Sequence, residues 1–257
     1  MIKAIYFFGL TIVVGCLVTP VQSQEIDWKS VKILWFTKNG KGYVHDNIAN
    51  SVKAIKEMSD SLSFTVDVRD QSDVFTKDKL AGYDVVVFSN TNNDVFDTEE
   101  QRKAFQEYIR GGGGFVGIHS ASGTERNWPW FKQLLGGTFY WHEPFQPFSV
   151  RVLQSKHPSV AHLPAVWQRK GDECYYLKEM AVDLTVIAVN DLETIKGTNP
   201  KRPITFGSVF PSVWCHEFDG GRAWYTSLGH QKEDYNDPVF RQHILGGIIW
   251  AMDANRN

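Results

Sequence analysis

Cysteine is scarce in this chain: three occur among 257 residues, at positions 16, 174 and 215. A chain of this length buries a core without covalent help, so Cys174 and Cys215 are expected as buried thiols, although the sequence leaves open whether they pair. An excess of either charge is also lacking. With 27 basic and 29 acidic residues the formal net charge is -2, and no long basic run supplies the footprint of a nucleic-acid partner. Neutral or weakly charged ligands fit better. There is no internal repeat, no low-complexity tract and no break in composition, which leaves one α/β domain over residues 24–257 as the simplest organisation.

The amino terminus reads differently from the rest. Lys3 gives a minimal positive start, Ala4 to Val18 is an apolar run too short to span a bilayer comfortably, and Val21-Gln22-Ser23 offers small residues before Gln24. Residues 1–23 are expected to be a secretory signal, with the mature protein secreted or periplasmic. Val13-Val14-Gly15-Cys16 also resembles a lipobox, which would tether the protein to a membrane through Cys16.

Beyond it, β-rich runs alternate with helical spacing. Val31 to Phe36, Phe64 to Val68, Asp84 to Phe88 and Phe115 to Ile118 read as strands, and Ile48 to Met58 and Thr98 to Arg110 as helices. This order supports a doubly wound, mostly parallel sheet with right-handed crossovers. The later part is less regular. It holds a short helix at Trp128 to Leu135, an aromatic loop at Phe139 to Phe145, strands at Phe148 to Leu153 and Leu184 to Val189, a loop at Thr198 to Pro203, a hairpin of Val213 to Phe218 with Ala223 to Leu228, and a closing helix from Pro238 to Met252.

In such a sheet, ligands bind outside the carboxyl ends of the strands. His119, directly after Ile118, is the first candidate for chemistry; His45 and His230 fall in comparable places, and the loops bring His142 and Glu173. Imidazoles with a carboxylate suit acid–base work near neutral pH. Three imidazoles and an acid also make an acceptable zinc set. The residues are scattered without a His-x-x-x-His pair, so a divalent metal stays open and no ligand is assigned. Asn90, Thr91, Ser120, Trp141 and Tyr175 are the candidate sugar-binding residues, with amides and hydroxyls for sugar oxygens and aromatic rings for pyranose faces. Each also serves as ordinary loop or core structure. Gly111 to Gly114 precedes a strand, which argues against a dinucleotide fingerprint.

Gly112 to Ala121, Leu134-Leu135-Gly136-Gly137 with His142, His157-Pro158, Asp172-Glu173 with Tyr175, and Gly221-Arg222 through His230 together resemble the trehalose-utilisation, ThuA-like family. The resemblance covers Val31 to Met252. It implies a flavodoxin-like sheet with helices on both faces, similar to class I glutamine amidotransferases, with a C-terminal β-hairpin insertion. In those enzymes a nucleophilic cysteine occupies the turn after the strand where this chain has His119 and Ser120, so glutamine hydrolysis is not expected. Ser120 as a nucleophile would lack the Gly-x-Ser-x-Gly elbow. His216 and Glu217 fall late in the chain, like the base of the amidotransferase triad, but neighbours on a strand point to opposite faces.

The resemblance further implies a role with trehalose and related disaccharides, alongside oxidoreductases that make 3-keto sugars. The leading expectation is an enzyme acting on a keto glycoside, in which His119 and His230 exchange a proton, Glu173 orients one of them, and His45 or His142 polarises the carbonyl. The alternative is a carbohydrate-binding protein without catalysis on a retired amidotransferase fold.

Overall fold

The computed structural model describes residues 26–197 and 207–252. The expected signal segment, the lipobox at Cys16 and the expected loop at Thr198 to Pro203 lie outside the described residues. Strand β1 (Lys32–Phe36) leads through a long loop into α1 (Ile48–Leu62), followed by β2 (Thr65–Arg69), the short α2 (Lys77–Leu80) and β3 (Val85–Ser89). Helix α3 (Glu99–Arg110) then precedes β4 (Gly114–Ile118). A capping box starts α3: Gln101 N donates to Thr98 Oγ1 at 3.3 Å, and Thr98 N donates to Gln101 Oε1 at 3.4 Å.

After β4 come α4 (Pro129–Leu135), β5 (Thr138–His142), β6 (Gln146–Val152), β7 (Val166–Asp172), β8 (Tyr175–Lys178) and β9 (Thr185–Asp191). Strands β10 (Val209–Phe218) and β11 (Gly221–Thr226) form the expected hairpin, and α5 (Pro238–Met252) closes the described chain. One nine-stranded sheet runs in the order β2-β1-β3-β4-β11-β10-β9-β6-β7, and β5 pairs with β8 in a separate ribbon. The first four contacts of that order, from β2 to β11, are parallel, whereas β11 to β7 is antiparallel. The fold is the expected α/β sheet with flavodoxin-like order in its parallel half.

Three stretches differ from the sequence reading, one of them Tyr175–Lys178, not read as a strand, which forms β8. The expected aromatic loop at Phe139 to Phe145 begins as a strand: the run Phe139-Tyr140-Trp141, of high β propensity, lies in β5, which pairs Thr138 with Lys178 and His142 with Tyr175. The run Val166–Asp172, not read as a strand, forms β7 at the sheet edge because its partner β6 supplies the ladder. Its burial alternates, but the inward positions after Trp167 carry Arg169 and Gly171 rather than apolar side chains, which hides it in the sequence.

The core lies on both faces of the parallel half. Phe36, Phe75, Phe88, Phe105, Phe115 and Phe131 are fully buried, and α5 covers Trp224. A Cβ on Gly247 would fall 2.5 Å from the Trp224 ring, so glycine is what lets helix and strand approach there. Cys174 and Cys215 are buried thiols, and burial pushes Cys215 up to about 12. Among the described residues, no helix is long and apolar enough to cross a membrane.

His243 of α5 is fully buried, with Nδ1 donating to Ser159 O at 2.7 Å and Nε2 accepting from Thr226 Oγ1 at 3.1 Å. Burial lowers its pKa from 6.5 to about 3. Between those values the unfolded chain binds the extra proton and the fold does not, so this residue makes stability fall as pH drops through the window. The urea midpoint of the protein should decline on acidification from 6.5 to about 3. His243→Gln should be less stable at neutral pH yet decline less; an identical decline would refute the assignment.

Candidate active site

Because β1, β3, β4 and β11 run in the same direction, their carboxyl ends share one edge of the sheet. Ile118 pairs with Ser89 on one side and Thr226 on the other, so the chain leaves the sheet at three adjacent points. The loop after β1 carries His45, the turn after β4 begins with His119, and Ser227 to His230 follow β11. The link between β7 and β8 adds Glu173 from the opposite side, and the end of β5 adds His142.

His119 has φ of 51°, a left-handed conformation that costs a non-glycine residue free energy and persists only when its surroundings fix it. Here Tyr225 Oη donates to the His119 carbonyl at 2.8 Å, and His119 Nδ1 donates to Ser227 O at 2.8 Å. A carbonyl can only accept, so the proton sits on Nδ1 and Nε2 carries the lone pair. Tyr175 Oη donates to that Nε2 at 2.9 Å. Burial, then the nearby His45 and His230, push the His119 pKa well below its usual range.

His230 Nδ1 lies 3.2 Å from His119 Nε2 and 3.1 Å from Glu173 Oε2. Burial alone would lower His230, but the hydrogen bond and charge of Glu173 outweigh it and raise the pKa. Conversely, burial would raise Glu173, and the contacts with His230 and the field of His142 hold it below the usual carboxylate value. His45 packs edge-on against His119 and His230, with ring centroids 4.8 Å and 5.4 Å apart. Burial, with His230 next, takes its pKa to about 4. His142 Nδ1 donates to Glu143 O at 2.9 Å and stands 3.4 Å from Glu173 Oε1. Thus all five residues expected to be catalytic meet in one place. Four of them, His45, His119, Glu173 and His230, each offer a donor atom within 4.8 Å of the others.

Beside the cluster opens a cavity of about 300 Å³ walled by Tyr43, His45, Ser120, His142, Glu173 and Tyr175, with Asn92, Gly123, Arg126 and Phe139 completing it. His119 and His230 stand behind this wall. Of the residues expected to bind sugar, Ser120 and Tyr175 reach the cavity, and the buried Ser120 Oγ has no hydrogen-bond partner among the described residues. Asn90, Thr91 and Trp141 are not in the wall. Asn90 donates to Tyr235 Oη at 2.7 Å and accepts from Asn47 Nδ2 at 3.0 Å. Thr91 bonds Thr124 Oγ1 at 2.7 Å, and Trp141 stacks on Tyr176. These side chains are spent on the scaffold. A register shift between Phe139 and Trp141 separates two side chains that a regular strand would place on one face.

A profile of the ThuA family, described as trehalose utilisation, matches residues 32–251. The chain belongs to this family. A ThuA-like protein from Bacteroides uniformis ATCC 8492 superposes with a TM-score of 0.72 at 25% identity, covering 91% of this chain and 95% of that one. A ThuA-like protein from Parabacteroides merdae ATCC 43184 gives 0.67 at 20% identity, over 86% and 90% of the two chains. A GMP synthase protein from Thermoplasma acidophilum gives 0.52 at 14% identity, over 88% and 96%, a likeness of fold alone. A search of curated proteins finds no match. ThuA membership supports a carbohydrate-related role. In this ThuA chain the turn after β4 carries His119, and neither Cys174 nor Cys215 lines the cavity.

Sequence reading missed the residues that hold the cluster still. Asp172, fully buried beside Glu173, accepts from Gly229 N at 3.0 Å, His230 N at 3.2 Å and Glu173 N at 2.9 Å. Its charge is met by Arg169 at 3.1 Å, which also pairs with Asp234 at 2.6 Å. Asn47 ties the same turn from the other side, donating to the carbonyls of Gly229 and His230 at 2.8 Å each. The pairing of two acids at 172 and 173 was a visible signal; Arg169 and Asn47 gave none. Asp172→Ala should cost about 3 kcal/mol, the low end for breaking a buried pair because Asp234 still faces Arg169. Urea unfolding of the variant measures this, and a loss under about 1 kcal/mol would contradict the role.

Proposed function

We propose that this ThuA protein is an enzyme of carbohydrate metabolism that removes a proton next to the carbonyl of an oxidised sugar or glycoside. The observation that carries the reading is the cavity itself: about 300 Å³, at the small end of ligand pockets and suited to one sugar ring, with His45, His142 and Glu173 in its wall. A C–H beside a carbonyl is acidic enough for a positioned imidazole to take its proton.

His142 fits the base. Its Nδ1–H is engaged by the Glu143 carbonyl, which leaves Nε2 with the lone pair, and at 38% side-chain exposure it can exchange protons with solvent. The buried cluster behind it supplies the polarising field that stabilises the negative charge developing on the carbonyl oxygen. The exposed Tyr43 in the cavity wall offers an aromatic face for a sugar. In this reading the proton-accepting role expected of the His119–His230 pair falls to His142, because the pair stands behind the wall. Elimination, isomerisation or hydrolysis then completes the reaction.

An oxidoreductase that makes keto sugars would supply the substrate, and export through residues 1–23 would place the protein in the periplasm or outside the cell. A turnover screen on keto-disaccharides tests the activity. The intact protein should convert at least one of them, and His142→Ala should lower kcat by about 100-fold or more while the sugar still binds. Binding without turnover across the whole panel would favour the non-catalytic carbohydrate-binding alternative.

A further inference from the structure

We infer that His45, His119, Glu173 and His230 form a binding site for one divalent transition-metal ion of the zinc class at the floor of the cavity. The first ground is distance. His119 Nε2, His230 Nδ1 and Glu173 Oε2 form a triangle with sides of 3.2 Å, 3.1 Å and 3.7 Å. Ligands about 2.0–2.1 Å from a tetrahedral zinc ion stand about 3.3 Å from one another, so the three sides bracket the edge of such a tetrahedron. The fourth residue, His45, also offers a donor atom within 4.8 Å of the rest.

The second ground is the state of the donors. His119 Nδ1 is committed to the Ser227 carbonyl, the outer-shell bond that fixes a metal-binding imidazole and leaves its other nitrogen bare. His45 is 5% exposed, and its Nδ1 is buried with no hydrogen-bond partner among the described residues, although a buried polar nitrogen ordinarily has one. Three imidazoles crowded together beside one carboxylate are poorly explained as structure alone. Around an ion they become a ligand set, with one carboxylate to offset its charge. Imidazole ligation favours zinc, iron, nickel and copper over magnesium or calcium. Tyr175, which donates to His119 Nε2 at 2.9 Å, gives up that lone pair when an ion takes it. His45 and Glu173 belong to the cavity wall, so the ion faces the substrate space and can act as a Lewis acid on a sugar oxygen.

The site does not depend on the sugar reading, because the test reads the metal. Purified full-length protein is stripped with a chelator, then titrated calorimetrically with Zn²⁺ and by visible absorption with Co²⁺. One equivalent of Zn²⁺ should bind, and Co²⁺ should give the intense bands of tetrahedral coordination. His119→Ala and Glu173→Gln should each weaken Zn²⁺ binding by more than about 100-fold, beyond the usual cost of an outer-shell change, with circular dichroism unchanged. His142→Ala, which removes a neighbouring imidazole outside the set, should bind as the parent does. Should His119→Ala fail to fold, His45→Ala and Glu173→Gln carry the test. Absence of saturable one-equivalent binding, or binding that survives loss of His45 and Glu173 alike, overturns the inference. Keto-sugar turnover by metal-free protein would overturn the ion's catalytic part while leaving the proposed activity standing.

Discussion

The parallel pairing of β4 with β11 is the constraint on which the rest of the site depends. Because Ile118 lies opposite Thr226, the next residues of both strands leave the sheet side by side, and the ring of His119 reaches the Ser227 carbonyl. That bond sets the imidazole tautomer, and the tautomer sets what the cluster can do. The left-handed turn at His119 is tolerable because the Tyr225 hydroxyl and the Ser227 carbonyl hold the residue from two sides. Elsewhere on a strand, a histidine would have neither the turn nor the partners.

Around that bond, charge is divided unequally. Burial keeps His45 and His119 neutral, whereas Glu173 and His230 stabilise each other's charged forms. Burial opposes the charge of each, and the contact between them outweighs it. Asp172 is one layer further out. It touches no cavity surface, yet its bonds to the backbone of residues 173, 229 and 230 fix the spacing between the carboxylate and the imidazole. The site is thus two shells deep, and the outer shell is anchored by Arg169 in the antiparallel half of the sheet.

Much of this was legible in the sequence where local and global signals agreed. The apolar run before His119, the capping sequence at Thr98 and the closing helix from Pro238 all follow from periodicity and end signals, and strand ends placed His45, His119 and His230 at one rim. What stayed hidden depends on direction and on register. Asn90 and Thr91 follow β3 at its carboxyl end, but the backbone there turns with φ of 54° at Asn90 and sends the amide inward to Tyr235. Trp141 is separated from Phe139 by a register shift that no propensity reports. The contribution of Asp172 rests on contacts across 57 and 58 residues of sequence, which a linear reading cannot supply.

The late position of β11 in the chain has a temporal consequence. His119 and Ser227 are 108 positions apart, and β11 is the strand that joins the parallel half of the sheet to the antiparallel half. Until it docks, β4 has an unsatisfied edge and the rim lacks both the Ser227 carbonyl and His230. Contacts of such long span form slowly because the chain must close a large loop first. A chain still emerging from the ribosome would therefore carry every earlier strand of the flavodoxin-like half without the His119–Ser227 bond, so the histidine cluster would assemble only once β11 and His230 had been made.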